Sequence, residues 1–232
     1  MGMRFVKKRG GWRVLNLHAV VVAVTAEAKE LASALKEMAR ILKDVRRKVY
    51  DASEEAFEEA MREVGISEWA VPSVFRPTMV FTVDAPLGSL ASAVEKGVDD
   101  MYVHEFMLDI LDSASYDQGE TNMIQKLIPI ADPRVIEKYR PELKTALKEV
   151  SSLLYGIKAA ADMALRRCNK LLGRKSEYFS CIAENLRTQL PRIRRDAEEV
   201  KPESIKEELK EVYKAVLEHG KKYGLGEYPY WY

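Results

Sequence analysis

The chain has 232 residues, 47% hydrophobic and 31% charged, with a formal net charge of +1, enough for one large domain with a substantial core. Its 12 glycines and 9 prolines exclude a collagen-like or loop-dominated chain. Two cysteines and three histidines exclude a disulfide-rich scaffold and a four-cysteine zinc site, and no apolar stretch reaches the ~18 residues of a membrane-spanning helix.

At the N-terminus, Arg4, Lys7, Lys8, Arg9 and Arg13 precede an apolar run from Leu15 to Val24, in superficial imitation of a secretory signal. Asn16 and His18 interrupt that run and a helical pattern continues past it, so the chain is expected to stay in the cytoplasm. Lys8-Arg9-Gly10 hints at a pilin-type leader, but the run is too short and polar. Val6 stands where an N-terminal lipidation signal needs Ser or Thr. With Phe5 and Trp12 interleaved and Gly10-Gly11 loosening the backbone, these cations have the composition of a nucleic-acid-contacting arm. Lys7, Lys8, Arg9 and Arg13 suit phosphates, and Trp12 suits an unpaired base. Val20, Val21, Val22 and Val24 suit a buried strand. A small β element is therefore expected over about 13–24, with a helix from near Asn16 as its rival.

Ala28, Leu31, Leu35, Met38, Leu42, Val45 and Val49 alternate steps of three and four, and Ala32, Ala34, Ala39 and Ile41 widen the stripe. The spacing predicts a helix against a bundle core, with Thr25 as N-cap. Asp51-Ala52-Ser53-Glu54 reads as a capping box for a second helix that stops at Gly65. Pro72, Pro77 and Pro86 punctuate the next stretch, within which residues 78–83 read as the second part of the β element. A helix from Ser89 or Ser92 to about Asp112 follows, then a polar loop from Ser113 to Asn122.

Pro141 is expected to open the longest helix, through Leu143, Leu147, Val150, Leu154, Ile157, Ala161, Leu165, Cys168 and Leu172, ended by Gly173. Another covers Tyr178 to Leu190, bent or broken at Pro191, and Ser204 with Glu207 caps a last one closed by Gly220. Cys168 and Cys181 lie equally far from the expected turn at Arg174–Lys175, a spacing that allows a disulfide, with two buried thiols the preferred expectation. The fold expected is mainly α, a helical bundle with long antiparallel helices and a small β element. It forms a single domain over 1–232, divisible into a mixed region 1–124 with an acidic middle and a helical region 125–232.

Charge is segregated. Residues 1–50 carry a net +8, residues 51–83 −5, residues 84–124 −8 and residues 125–200 +6. Either opposite blocks pair within one chain, or they serve a neighbouring copy or a polyanion. Arg166, Arg167, Lys170, Arg174 and Lys175 form a second basic patch, and Arg187, Arg192, Arg194 and Arg195 a third. Asp99, Asp100, His104, Glu105, Asp109 and Asp112 form an acidic cluster, in which the spacings Asp100–His104 and Glu105–Asp109 suit a divalent ion. Glu54, Glu55 and Glu58 with Asp109 have the carboxylate chemistry of magnesium-dependent phosphohydrolases, though the partner Glu–Asp spacing is missing. No nucleophile motif or phosphate-cradling loop occurs.

The reading that results is a non-catalytic helical structural or assembly protein without a cofactor, contacting DNA or RNA through the N-terminal and 166–195 basic patches. It would be a homo-oligomer or part of a larger complex, with Tyr230, Trp231 and Tyr232 as an interface. Its alternatives are the carboxylate–magnesium nucleotide phosphohydrolase and a protein–protein adaptor with no nucleic-acid role. Abundant Lys, Glu, Arg and Val with few Gln, His and Cys resembles a thermophile's composition.

Overall fold

The computed structural model describes residues 5–8, 11–14, 24–67, 71, 76–78, 80–128 and 133–223. In chain order come two short strands, β1 (Phe5–Lys8) and β2 (Gly11–Val14), and the helices α1 (Ala26–Val64), α2 (Asp84–Glu95), α3 (Asp100–Gln118) and α4 (Glu120–Leu127). Then follow α5 (Pro133–Cys168), a 3-10 turn (Asn169–Leu171), α6 (Lys175–Glu199) and α7 (Pro202–Tyr223). The described chain is mainly α.

The β element expected over 13–24 and 78–83 is not supported. The only strand pairing among the described residues joins Phe5 to Val14 and Lys8 to Gly11, and residues 15–23 lie outside them. The described residues of 78–83 form no strand, and the amides of Thr78, Thr82 and Val83 are satisfied elsewhere. Thr78 N–H donates to the Lys126 carbonyl (2.7 Å), and the Thr82 and Val83 N–H groups donate to Asp117 Oδ2 (2.7 and 2.9 Å). Val80, Phe81 and Val83 are buried, so their apolar character drives core packing without sheet pairing.

Helix α1 begins where Thr25 Oγ1 accepts the Ala28 N–H (3.3 Å) and ends at Gly65, whose φ of 70° only glycine adopts freely. The alternating stripe from Ala28 to Val49 is buried throughout. No second helix starts at Asp51. Ser53 is buried, and its hydroxyl donates back to the Val49 carbonyl (2.7 Å), so the expected cap residue spans an unbroken helix. The helix expected from Ser89 or Ser92 to Asp112 is two helices. Gly97 at φ 91° turns the chain, and Asp99 Oδ1 accepts the Tyr102 N–H (2.8 Å) to start α3. The expected loop from Ser113 to Asn122 is mostly helix, interrupted at Gly119. Pro141 and Pro191 lie inside α5 and α6. Both face solvent, where a lost amide bond falls on the wet side.

α1 packs on α2, α6 and α7, and α5 on α3, α6 and α7. Ion pairs give the directions. Lys36–Glu95 (2.5 Å) and Arg46–Asp84 (2.9 Å) set α2 antiparallel to α1. Arg187–Glu30 and Arg194–Glu37 set α6 parallel to the first part of α1, and Lys206, Lys210 and Lys214 set α7 parallel to the last. The Arg187, Arg194 and Lys221 contacts all join residues 157 apart, so α6 and α7 together track α1 in one register. Helix α1, from the basic block 1–50, thus meets α2, from the acidic block 84–124, within a single chain.

The α1–α7 seam is a ladder. Lys206 bridges Glu55 and Glu59 (3.0 and 2.8 Å), Lys210 bridges Glu59 and Glu63 (3.1 and 2.5 Å), and Lys214 reaches Glu63. Hydrogen bonds from Lys206 and Lys210 pull the Glu59 carboxyl down from its ordinary 4.5 to about 2. A depressed folded-state pKa gives stability that is present above the unfolded value and lost as pH falls through the folded one. The stability difference between wild type and Glu59→Gln is therefore expected to hold down to about pH 4.5 and vanish toward pH 2. It should also shrink in high salt, because the pairs are exposed. Urea titrations at stepped pH check this, and a difference that grows on acidification would contradict it.

Candidate nucleic-acid interface

The α5–α6 turn carries the second basic patch. The chain leaves α5 at Cys168, makes one 3-10 turn, and reverses at Gly173 (φ 87°). Cys168 and Cys181 are joined by a disulfide, the outcome that sequence spacing allowed but did not prefer. The reversal brings their backbones to a Cα–Cα separation of 5.8 Å, within bridging range. Buried Asn185 braces the bridge, donating from Nδ2 to the Cys181 carbonyl (2.8 Å) and accepting at Oδ1 from Arg167 (3.1 Å).

The turn is also docked on the start of α3. Buried Asp100 accepts the Gly173 N–H at Oδ2 (2.6 Å), and Lys175 Nζ donates to the Gly97 carbonyl (3.4 Å). His104 Nδ1 and Tyr178 OH are 3.0 Å apart, and burial followed by the Asp100 charge pushes the Tyr178 hydroxyl up to about 12. The expected chelating pair Asp100–His104 is thus divided between two structural bonds.

The predicted phosphate contacts of this patch share one turn. Arg166, Arg167, Lys170 and Arg174 are exposed and Lys175 is half-buried. Arg166 pairs with Asp162 and Arg174 with Glu177, both solvent-exposed pairs one helical turn apart. Lys175 lies over the Phe179 ring, and Lys170 has no partner among the described residues. The third patch is more committed, with Arg187, Arg192 and Arg194 pairing with Glu30, Asp196 and Glu37. Lys7, Lys8, Trp12 and Arg13 lie on β1 and β2, of which the backbone alone is described, while Arg9 and the tail Tyr230, Trp231 and Tyr232 lie outside the described residues.

The carboxylates proposed for magnesium do not assemble. Glu54 pairs with Arg76 (3.5 Å) and Glu55 with Lys206. Asp109 is exposed on α3, which packs chiefly on α5. Among the described residues no three His, Cys, Asp or Glu side chains are grouped to hold a metal ion. Single-helix spacing could not foresee this, because the cations that take these glutamates come from elsewhere in the chain, Arg76 for Glu54 and Lys206 of α7 for Glu55.

One feature escaped the sequence reading. Between α1 and α2 runs a groove of about 860 Å³, lined on one side by Lys36, Arg40, Lys43 and Arg46 and at one end by Lys96, Val98 and Tyr102. The signal was present: basic residues at 36, 40, 43 and 46 share a face of α1, opposite small residues at 85, 88, 89 and 92. Buried Asp84 has one oxygen on Arg46 and the other without a partner, and burial, opposed by Arg46, raises its pKa. The groove's Lys96 end adjoins the α5–α6 turn, since Lys175 bonds the next residue, Gly97.

No family model, curated protein or solved structure matches the chain. Among the described residues no helix is long and apolar enough to cross a membrane.

Proposed function

We propose that the chain is a non-catalytic helical protein of the cytoplasm that contacts nucleic acid through its basic surface, as a structural component of a nucleoprotein. The observation that carries this reading is the α5–α6 turn, where Arg166, Arg167, Lys170, Arg174 and Lys175 fall within ten residues. A disulfide and the Asp100–Gly173 bond hold that turn in place. Cations on a fixed turn need little ordering on binding, and exposed pairs such as Arg174–Glu177 give way to phosphate at a cost of about 1 kcal/mol or less. Lys7, Lys8, Arg9 and Arg13, with Trp12 stacking, extend the contact in this proposal. The thermophile-type composition reconciles a bridged pair of cysteines with a cytoplasmic setting.

Fluorescence anisotropy against labelled single- and double-stranded oligonucleotides at stepped salt tests the proposal. Binding should weaken linearly on a log–log plot, and the double variant Lys170→Gln/Arg174→Gln should lower the slope by roughly 1.4–1.8, two released counterions. No affinity for either polymer at low salt would end it.

Assembly is a second reading, favoured by exposed Met101, Leu108 and Tyr116 along the acidic helix α3. With the aromatic tail as the further contact, light scattering should give a larger mass for the intact chain than for one ending at Gly226. Equal monomeric masses would remove the assembly claim.

A further inference from the structure

We infer that the α1–α2 groove is a binding site for the backbone of an unpaired nucleic-acid strand, with Tyr102 as the platform for a base at its Lys96 end. This inference rests on the nucleic-acid reading above and assigns it a second, distinct site.

The groove has the shape such a ligand needs. Ion pairs clamp the two antiparallel helices at both ends, Lys36–Glu95 at one and Arg46–Asp84 at the other. Between the clamps α2 contributes only small side chains. A Cβ placed on Gly88 would meet nothing within 4 Å, so the floor is open space. The twelve residues of α2 give the groove a length of about 18 Å, some five nucleotides at the ~3.4 Å rise of a stacked strand.

Its charge selects a polyanion. Five cations line it against the one carboxylate of Asp84, and that carboxylate is already engaged by Arg46. Arg40 and Lys96 have no partner among the described residues, unlike most cations on the α6 and α7 faces, and Lys43 acts on Asp84 through its charge without a hydrogen bond or ion pair of its own. The exposed Ser89 hydroxyl adds a donor, while Ser92 spends its own on the Gly88 carbonyl (3.0 Å).

The choice of an unpaired strand comes from Tyr102. The residue is 40% exposed, and its ring stacks on Phe106 with centroids 5.4 Å apart and planes 28° from parallel. That leaves a supported aromatic face beside Lys96, at the mouth of a cleft set between two packed helices. Bases paired in a duplex cannot present a face to it, whereas those of a single strand can. The groove also joins the cations of the α5–α6 turn through the Lys175–Gly97 bond, so one strand can run from the first site to the second.

The test is anisotropy with a labelled 20-nucleotide single strand, a duplex of the same length and an abasic strand carrying phosphates alone. Arg40→Glu/Lys43→Glu should weaken single-strand binding by more than tenfold. Ser89→Trp, which fills the groove without changing charge, should reproduce much of that loss. Tyr102→Ala should weaken the base-bearing strand about tenfold and leave the abasic strand unchanged. Melting temperatures near wild type establish that each variant is folded. If Lys170→Gln/Arg174→Gln loses binding while both groove variants bind as wild type, the groove inference is overturned and the broader reading stands. If wild type binds none of the three at low salt, both fall.

Discussion

Replacing Asp117 with alanine is expected to destabilise the protein by about 3–5 kcal/mol, the cost of removing one member of a buried charge pair. The carboxylate is 1% exposed and serves three donors. Oδ2 accepts the Thr82 and Val83 amides, and Oδ1 accepts Lys126 Nζ at 2.7 Å. Without it the buried Val83 N–H has no acceptor and Lys126 has lost its counter-charge. The segment that carries Val80, Phe81 and Val83 into the core is then untethered. Asp117→Asn keeps an acceptor for the amides and should lose less, about 1–3 kcal/mol. Lys126→Met separates the charge term, because it leaves the carboxylate with both amide donors. Equilibrium urea unfolding of the three variants measures the series. A loss under about 1 kcal/mol for Asp117→Ala would show that the 80–83 segment is held by its apolar contacts alone.

Asp117 also shows where sequence legibility ended. Helical periodicity is a local signal, so the α1, α5, α6 and α7 stripes, the Thr25 cap and the Gly65 and Gly173 stops could be read directly. Residues 78–83 are β-branched and aromatic, but a strand needs a partner, and the acceptors for this segment lie 34 and 35 residues away on a side chain and 48 away on the Lys126 carbonyl. Ser53 failed for a related reason. Its capping-box spacing is real, yet burial against α7 favours an uninterrupted helix, in which the hydroxyl turns back to Val49. The basic patches were legible as composition, whereas their partners were not. Only the fold shows that Glu30 and Glu37 take Arg187 and Arg194, while Arg40, Lys43 and Lys96 border a groove.

Converting both cysteines to serine is expected to cost about 3 kcal/mol of stability. Cys168 and Cys181 are 13 residues apart, and closing a loop of about 15 residues in the unfolded chain is worth roughly that much. Because the loss acts chiefly on the unfolded ensemble, the native turn should persist. Gly173 remains bonded to Asp100, His104 stays beside Tyr178, and Asn185 keeps its Arg167 contact. Stability and binding should therefore separate: the Cys168→Ser/Cys181→Ser variant unfolds at lower urea yet binds nucleic acid within a few-fold of wild type. Thiol labelling gives the independent check. The intact chain should be unreactive without reductant, since the bridge leaves no free thiol, and should show two thiols once reduced and unfolded. Rapid labelling of both cysteines before reduction would remove the disulfide, and with it one of the two restraints on which the basic turn depends.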